Sequence, residues 1–154
     1  NTIHGKEIFK AQCSRCHGAN GEGQLLLDSS GFKYPPLWGN NSYNTGAGMY
    51  RISKLAAYVK DNMPFNQASH SRAVLSDEEA WDVSAYIISQ TRPHINVPKD
   101  WPDISKKPVD HPFGPYADTF PEKQHKYGPF KPIVDEQRKR EEAAKQKAST
   151  IVKN

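Results

Sequence analysis

Apolar positions recur at helical spacing in three stretches, and the pattern fades after Arg92. Over 3–12, Ile3, Ile8, Phe9 and Ala11 supply one apolar face. Over 48–62, Tyr50, Leu55, Tyr58 and Val59 repeat at the same spacing and lead to Met63, and Pro64 ends the run. The third stretch opens on Ser76-Asp77-Glu78-Glu79, whose hydroxyl and carboxylate can each satisfy an exposed helix N–H. Trp81, Val83, Ala85, Tyr86, Ile87 and Ile88 follow, and Pro93 closes the segment. The pattern predicts an all-α core over 1–92.

Beyond it the chain changes character. Prolines stand at 93, 98, 102, 108, 112, 115, 121, 129 and 132, which forbids a long helix and favours extended backbone. Trp101, Phe113, Tyr116, Phe120, Tyr127 and Phe130 punctuate this segment, and disordered chains are poor in aromatics. The expectation for 93–132 is therefore an extended segment wrapped over the core. Its alternative is a segment that orders only against a partner. The last stretch, 133–154, is expected to be a charged, solvated helix, with Glu136/Arg140 and Glu141/Lys145 at i,i+4.

Only 36% of the 154 residues are apolar, so the packed core is small. No run approaches the roughly 20 apolar residues that span a bilayer, and no transmembrane segment is expected in this chain. The first residue is Asn1 and not Met, as in a processed product. The net charge of +4 is spread along the chain without an aromatic-interleaved basic patch. That excludes nucleic acid as the expected partner.

Cys13-Ser14-Arg15-Cys16-His17 carries the chemistry. Two thiols three positions apart reach the two vinyl groups on one edge of a porphyrin, and the adjacent imidazole meets the iron. One covalent haem c is expected, on Cys13 and Cys16, with His17 as iron ligand. A zinc site would need two more ligands than the two cysteines supply. A redox dithiol of the thioredoxin kind would want a preceding strand, where the pattern reads helix. A large apolar plate at this point also compensates for the small core.

The sixth iron ligand decides between electron transfer and ligand binding. The two methionines are Met49 and Met63. Met63 is the expected ligand, in Asn62-Met63-Pro64 between a helix and the Ser76 cap. A thioether there stabilises ferrous iron. Met49, at the start of the second helix, reads as a core or haem-lining residue. Among the other histidines, His4, His70, His94, His111 and His125, the nearest rival is His70 on the Met63 loop.

Gly5-Lys6-Glu7-Ile8-Phe9 before Cys13 resembles the N-terminal helix of class I cytochromes c. The resemblance implies that Gly5 lets this helix cross the last core helix closely, with Phe9 against Trp81 or Tyr86. Pro35-Pro36-Leu37-Trp38-Gly39 resembles the family's post-haem loop, where a proline carbonyl takes the other ring N–H of the iron-bound histidine. Pro36 is the preferred candidate over Pro35. Trp38, Tyr43 and Arg51 are candidates for haem propionates. Leu75 to Val83, together with Ser42-Tyr43-Asn44, Gly46-Ala47-Gly48-Met49 and the motifs above, resembles more closely the C-terminal haem domain of dihaem thiosulfate dehydrogenases, which form tetrathionate from thiosulfate. That likeness runs from about Gly5 to Pro93. Those enzymes work at a separate haem with a cysteine iron ligand, and the sequence here has no third cysteine.

The expected function is thus a periplasmic single-haem electron carrier, not an enzyme, serving a redox donor and acceptor or a larger respiratory or sulfur-oxidising complex. Its mild positive charge suits an acidic redox partner. The alternative is a haem subunit or fragment of a thiosulfate dehydrogenase or tetrathionate reductase. A gas sensor or peroxidase with an open sixth position is a third class.

Overall fold

The first helical run of the computed structural model, which describes residues 1–97 and 99–151, is continuous but not uniform. Helix α1 covers Thr2–Ile8, a π-helical turn covers Phe9–Cys13, and α2 covers Ser14–His17. The wider turn is carried by the Ser14 N–H, which donates to the Phe9 carbonyl five residues back. One inserted residue rotates α2 by about 100° relative to α1. The Cys13–His17 segment therefore faces a different side from the Gly5/Ile8 face that α1 buries. Gly18, at φ +83°, ends the run.

The second predicted helix is shorter than the pattern suggests. Gly48–Tyr50 is a single 3-10 turn, Arg51 is extended, and helix α3 covers Ile52–Asn62. Ile52, Leu55, Ala56 and Val59 form its buried face. Helix α4, Asp77–Ser89, begins as read: the Ser76 N–H donates to Glu79 at 2.8 Å and the Glu79 N–H donates to the Ser76 hydroxyl at 3.2 Å. These bonds hold the Glu79 carboxyl below its usual range. Ser76→Ala removes half of this reciprocal cap, and an unfolding titration is expected to show a loss of about 1 kcal/mol.

The core is the meeting of α1, α3 and α4. Phe9, Val83 and Ile88 have no exposed surface, and Ile8, Leu55, Val59 and Ile87 are buried beside them. Gly5 sits where α1 crosses α4, and a Cβ there would lie 1.9 Å from the Asp82 carbonyl oxygen. One turn away, His4 Nδ1 bonds the Asp82 carboxylate at 2.8 Å. That hydrogen bond raises the His4 imidazole above its usual value.

The periodicity misses one element. Strands β1 (Gln24–Leu25) and β2 (Phe32–Tyr34) form a small antiparallel hairpin with an irregular register. The Gln24 side-chain amide donates to the Arg15 carbonyl at 2.8 Å, which ties the hairpin to the haem motif.

The chain divides into two units, Asn1–Val97 and Pro98–Asn154, so the boundary lies after Val97 and not at Arg92. Residues 93–97 stay with the first unit for a local reason. The Thr45 N–H donates to the Pro93 carbonyl at 3.0 Å, and the Thr45 hydroxyl accepts from the Ile95 N–H at 3.1 Å.

The second unit is built on a polar centre. Its elements are a 3-10 turn at Ile104–Lys106, helix α5 (Glu122–Tyr127) and helix α6 (Lys131–Ile151). The Lys107 ammonium donates to the carbonyls of Phe113 and Pro115, at 2.8 and 3.1 Å. His125, 2% exposed, stacks on Tyr116 at 3.6 Å and bonds the Val109 carbonyl and Asp118. Ile133 is buried, and Arg140 on α6 donates to the Ala117 carbonyl at 2.7 Å. The aromatics and prolines of 99–130 thus build a local structure around fixed polar groups. The charged helix starts at Lys131, earlier than its charge pattern suggests, because Pro132 is tolerated in a first turn.

Candidate functional site

Cys13 and Cys16 lie on successive turns at the end of the first helical run, both half-buried and neither in a disulfide. Burial, and then the neighbouring Cys16, pushes the Cys13 thiol up to about 11. A redox-active dithiol needs the opposite, a thiol whose pKa is depressed. Among the described residues no group of three His, Cys, Asp or Glu side chains is placed to hold a metal ion, so the zinc reading has no partners.

His17, 9% exposed, points Nδ1 at the Pro35 carbonyl at 2.8 Å. An imidazole that donates from Nδ1 keeps Nε2 as its lone-pair nitrogen, the tautomer an iron ligand needs. The carbonyl belongs to Pro35 and not to Pro36, the candidate preferred on the sequence. The reason is local. Gly23, at φ +77°, lies against this stretch so closely that a Cβ would come within 2.7 Å of the Pro36 nitrogen and 2.9 Å of the Pro35 carbonyl carbon. The Gly23 N–H also donates to the His17 carbonyl at 2.8 Å, and the Leu37 N–H donates to the Gly21 carbonyl at 2.8 Å. Two glycines thus hold the loop so that Pro35 meets the imidazole. Pro36 itself is buried beside it. Two thiols, an imidazole with a fixed tautomer and a firmly seated loop fit a covalent haem.

Trp38 belongs to the helix crossing. Its ring lies 4.8 Å from Phe9 and 5.6 Å edge-on from Tyr86, and it covers Gly21, where a Cβ would come within 2.5 Å of the indole. Phe9 and Tyr86 are themselves 5.7 Å apart. The aromatic that receives Phe9 is therefore Tyr86; Trp81 remains 38% exposed. This cluster joins the α1–α4 crossing to the turn just after His17.

Met63 is the first extended residue after α3, half-buried, with its N–H on the Val59 carbonyl at 2.9 Å. Met49 lies in the 3-10 turn before α3. The rival histidines are engaged elsewhere. The His70 side chain is 91% exposed and pairs with Asp61 at 3.1 Å. His4 bonds Asp82, and His94 bonds the Thr45 hydroxyl at 3.2 Å. His111 and His125 bond backbone carbonyls in the second unit.

Tyr43 and Arg51 stand at the two ends of the loop leading into α3. Burial raises the Tyr43 phenol, an effect partly offset by Arg92. The Arg92 guanidinium lies over the rings of Tyr43 and Tyr50, at 4.3 and 4.8 Å. The pattern of residues does not single out Arg92; its one signal is a cation between the end of an apolar helix and a proline.

Residues 3–91, more than half of the chain, match the family model of cytochrome c. The chain belongs to the cytochrome c family. It binds haem c covalently through Cys13 and Cys16, its helical unit is the class I fold, and its function is electron transfer. Among curated proteins it is 45% identical over 96 residues to a thiosulfate dehydrogenase of Allochromatium vinosum, covering 62% of this chain and 34% of that protein. It is 46% identical over 89 residues to one of Stutzerimonas stutzeri, covering 58% of this chain and 27% of that one. The cytochrome c6 of Cyanidium caldarium is 32% identical over 90 residues, which cover 58% of this chain and 72% of that protein. The chain spans about a third or less of the thiosulfate dehydrogenases it matches. A solved structure of the thiosulfate dehydrogenase TsdBA of Marichromatium purpuratum superposes with a TM-score of 0.54 at 38% identity, over 69% of this chain and 21% of that one.

Proposed function

We propose that this cytochrome is an electron relay in a sulfur-oxidising system, with Met63 opposite His17 on the iron and no substrate chemistry of its own. The observation that carries this reading is how the likeness is distributed. Identity of 43 to 46% to four thiosulfate dehydrogenases is confined to about a third or less of each, and the matched stretch of this chain holds one haem motif and both of its cysteines.

A relay needs a rigid, six-coordinate haem, and it needs no acid, base or substrate pocket. The haem supplies a one-electron iron couple. The chain supplies an imidazole hydrogen-bonded at Nδ1, a methionine whose backbone is fixed at the end of α3, and a closely packed helix crossing. Pro36, Trp38, Tyr43 and Arg51 are proposed as haem-lining residues. The periplasm is the proposed location, in line with covalent haem attachment. No described helix is long and apolar enough to cross a membrane. The redox partners are proposed to be a thiosulfate-oxidising enzyme as donor and a respiratory acceptor.

Rapid mixing of the ferric holoprotein with thiosulfate tests the assignment. Alone, the haem is expected to stay oxidised. With a catalytic amount of a thiosulfate dehydrogenase it is expected to be reduced quickly. Sustained tetrathionate formation by this chain alone would reverse the assignment and make it an enzyme fragment.

A further inference from the structure

Four of the large apolar side chains that the described residues expose lie together on the β1–β2 hairpin. Leu27 is fully exposed, Leu25 is more than half exposed, and Leu26 and Phe32 are exposed beside them. Single exposed leucines are ordinary, whereas a contiguous apolar patch marks a binding surface. The hairpin tip is an ordered turn. The Leu26 N–H donates to the Gly31 carbonyl and the Ser29 N–H to the Leu26 carbonyl, both at 2.9 Å. The Asp28 carboxylate accepts from the Ser30 N–H at 3.0 Å and the Ser30 hydroxyl at 2.7 Å. The register explains which side turns outward. Gln24 pairs with Tyr34 and Leu25 with Phe32, so the ladder passes over Lys33. Paired residues share a face, and neighbours along a strand face opposite ways. The Gln24–Tyr34 pair faces the haem motif: the Gln24 amide is on the Arg15 carbonyl at 2.8 Å, and the Tyr34 ring lies edge-on to His17 at 6.5 Å. The Leu25–Phe32 pair is thereby turned to solvent. An extra residue in one strand is a device that re-aims side chains in this way.

The occupant of this face can be named by its chemistry. Addition of another strand is disfavoured, because β1 and β2 are only two and three residues long and Lys33 stands in the middle of β2. The contact is therefore made by side chains. Its size fits a passing encounter. The four side chains expose on the order of a few hundred Å², whereas a stable complex buries about 800 Å² on each partner and redox encounters bury less. Its charge points the same way. Arg15 and Lys33 are exposed at the hairpin, while the carboxylates there are tied back, Asp28 to Ser30 and Glu22 to the Asn20 N–H at 2.8 Å. A rim of cations around an apolar centre suits a rim of carboxylates. We propose that the Leu25–Phe32 face of the hairpin is where a redox partner docks, a protein with an apolar patch rimmed by carboxylates, in a transient complex. Arg15, which the hairpin holds, lies between the two haem-bearing cysteines, so a partner seated here is brought to the attached edge of the porphyrin. This deepens the relay reading by naming its contact surface; it rests on electron transfer and not on thiosulfate as the ultimate donor or on the Met63 ligand.

The test is stopped-flow reduction of the ferric holoprotein by two donors, a thiosulfate dehydrogenase supplied with thiosulfate, and ascorbate. Wild type is compared with the double variant Leu26→Ser/Leu27→Ser, with Lys33→Glu and with Phe65→Ser. With the protein donor, the second-order rate constant of the double variant is expected to fall about tenfold, as when a central interface contact is lost. With ascorbate it is expected to stay at the wild-type value. Lys33→Glu is expected to slow the protein donor and to weaken the dependence of that rate on ionic strength. Phe65→Ser removes an exposed apolar side chain from the Met63 loop and is expected to change neither rate. A double variant as fast as wild type with the protein donor overturns the proposal. So does an equal loss with ascorbate, because the hairpin then acts on the haem itself. So does a loss in Phe65→Ser alone, which moves docking to the Met63 loop. A wild type that sediments as a stable dimer, with the double variant monomeric, makes the face a contact between copies and overturns it as well. If the dehydrogenase does not reduce wild type, the sulfur assignment falls and electron self-exchange between ferrous and ferric copies, read by NMR, decides the hairpin. There the double variant is expected to be slower by about tenfold, and an unchanged rate overturns the proposal.

Discussion

Met63→Ala is expected to abolish the methionine-to-iron charge-transfer absorption of the ferric protein while the haem stays covalently attached. The potential should fall by a substantial part of the roughly 0.8 V over which axial ligands set haem potentials. The direction follows from the ligand. A soft thioether stabilises ferrous iron, and water or a vacant position does not. The placement follows from the backbone. Helix α3 ends at Asn62, and Met63 turns extended while its N–H still holds the Val59 carbonyl at 2.9 Å. The thioether therefore starts from a fixed point. His70 cannot substitute without leaving Asp61 and turning in from a side chain that is 91% exposed. Carbon monoxide should accordingly bind slowly to wild-type ferrous protein and quickly to the variant. If the absorption band persists in Met63→Ala, another residue is the ligand and the carrier reading loses its main chemical support.

The parts of this site that were legible in the sequence are those set by local chemistry. The capping box at Ser76, the stop at Pro64 and the Cys13–His17 motif each depend on residues a few positions apart, so the residues themselves announce them. Gly5 was legible too, through the family likeness. What was hidden depends on distant partners. Adjacent carbonyls of Pro35 and Pro36 are equivalent on paper, and only the close pass over Gly23 selects Pro35. The packing of Trp38 against Phe9, Tyr86 and Gly21 joins three distant stretches, which residue spacing does not show. The π-helical turn at Phe9–Cys13 leaves no mark on apolar spacing, because it changes hydrogen-bond register and not residue type. The hairpin at Gln24–Tyr34 is too short for a period of two to register. In the proline-rich segment the centre is polar, around Lys107 and His125, and polarity pattern alone does not reveal such a core.

Gly5→Ala should have the largest effect on stability of any single methyl added to the first unit. Alanine is the better helix former by about 1 kcal/mol, so at an exposed site the same change would stabilise the helix. At Gly5 the new Cβ would lie 1.9 Å from the Asp82 carbonyl oxygen, 2.5 Å from its carbon and 3.0 Å from the Tyr86 Cβ. The two nearest of these are backbone atoms of α4, which no rotamer change can move. The helices must separate, and Phe9 and Val83, both fully buried at this crossing, must lose packing as they do. Overpacking of this kind costs about 1–3 kcal/mol and occasionally more, and the rigid backbone here argues for the upper end, about 3 kcal/mol. At about 4–8 °C per kcal/mol for a unit of this size, calorimetry of the holoprotein should show the melting temperature falling by about 12–24 °C. Ala57→Gly, at an exposed position of α3, is the control and should cost only about 1 kcal/mol. The effect should also reach the iron. Phe9 carries Trp38, and Trp38 covers Gly21, whose carbonyl holds Leu37 two residues from the Pro35 oxygen on His17. A shift of α1 is thus expected to move the reduction potential as well as the melting point. A Gly5→Ala protein as stable as wild type would mean that α1 and α4 do not meet backbone to backbone at Gly5, and the path from the crossing to the axial histidine would fall with it.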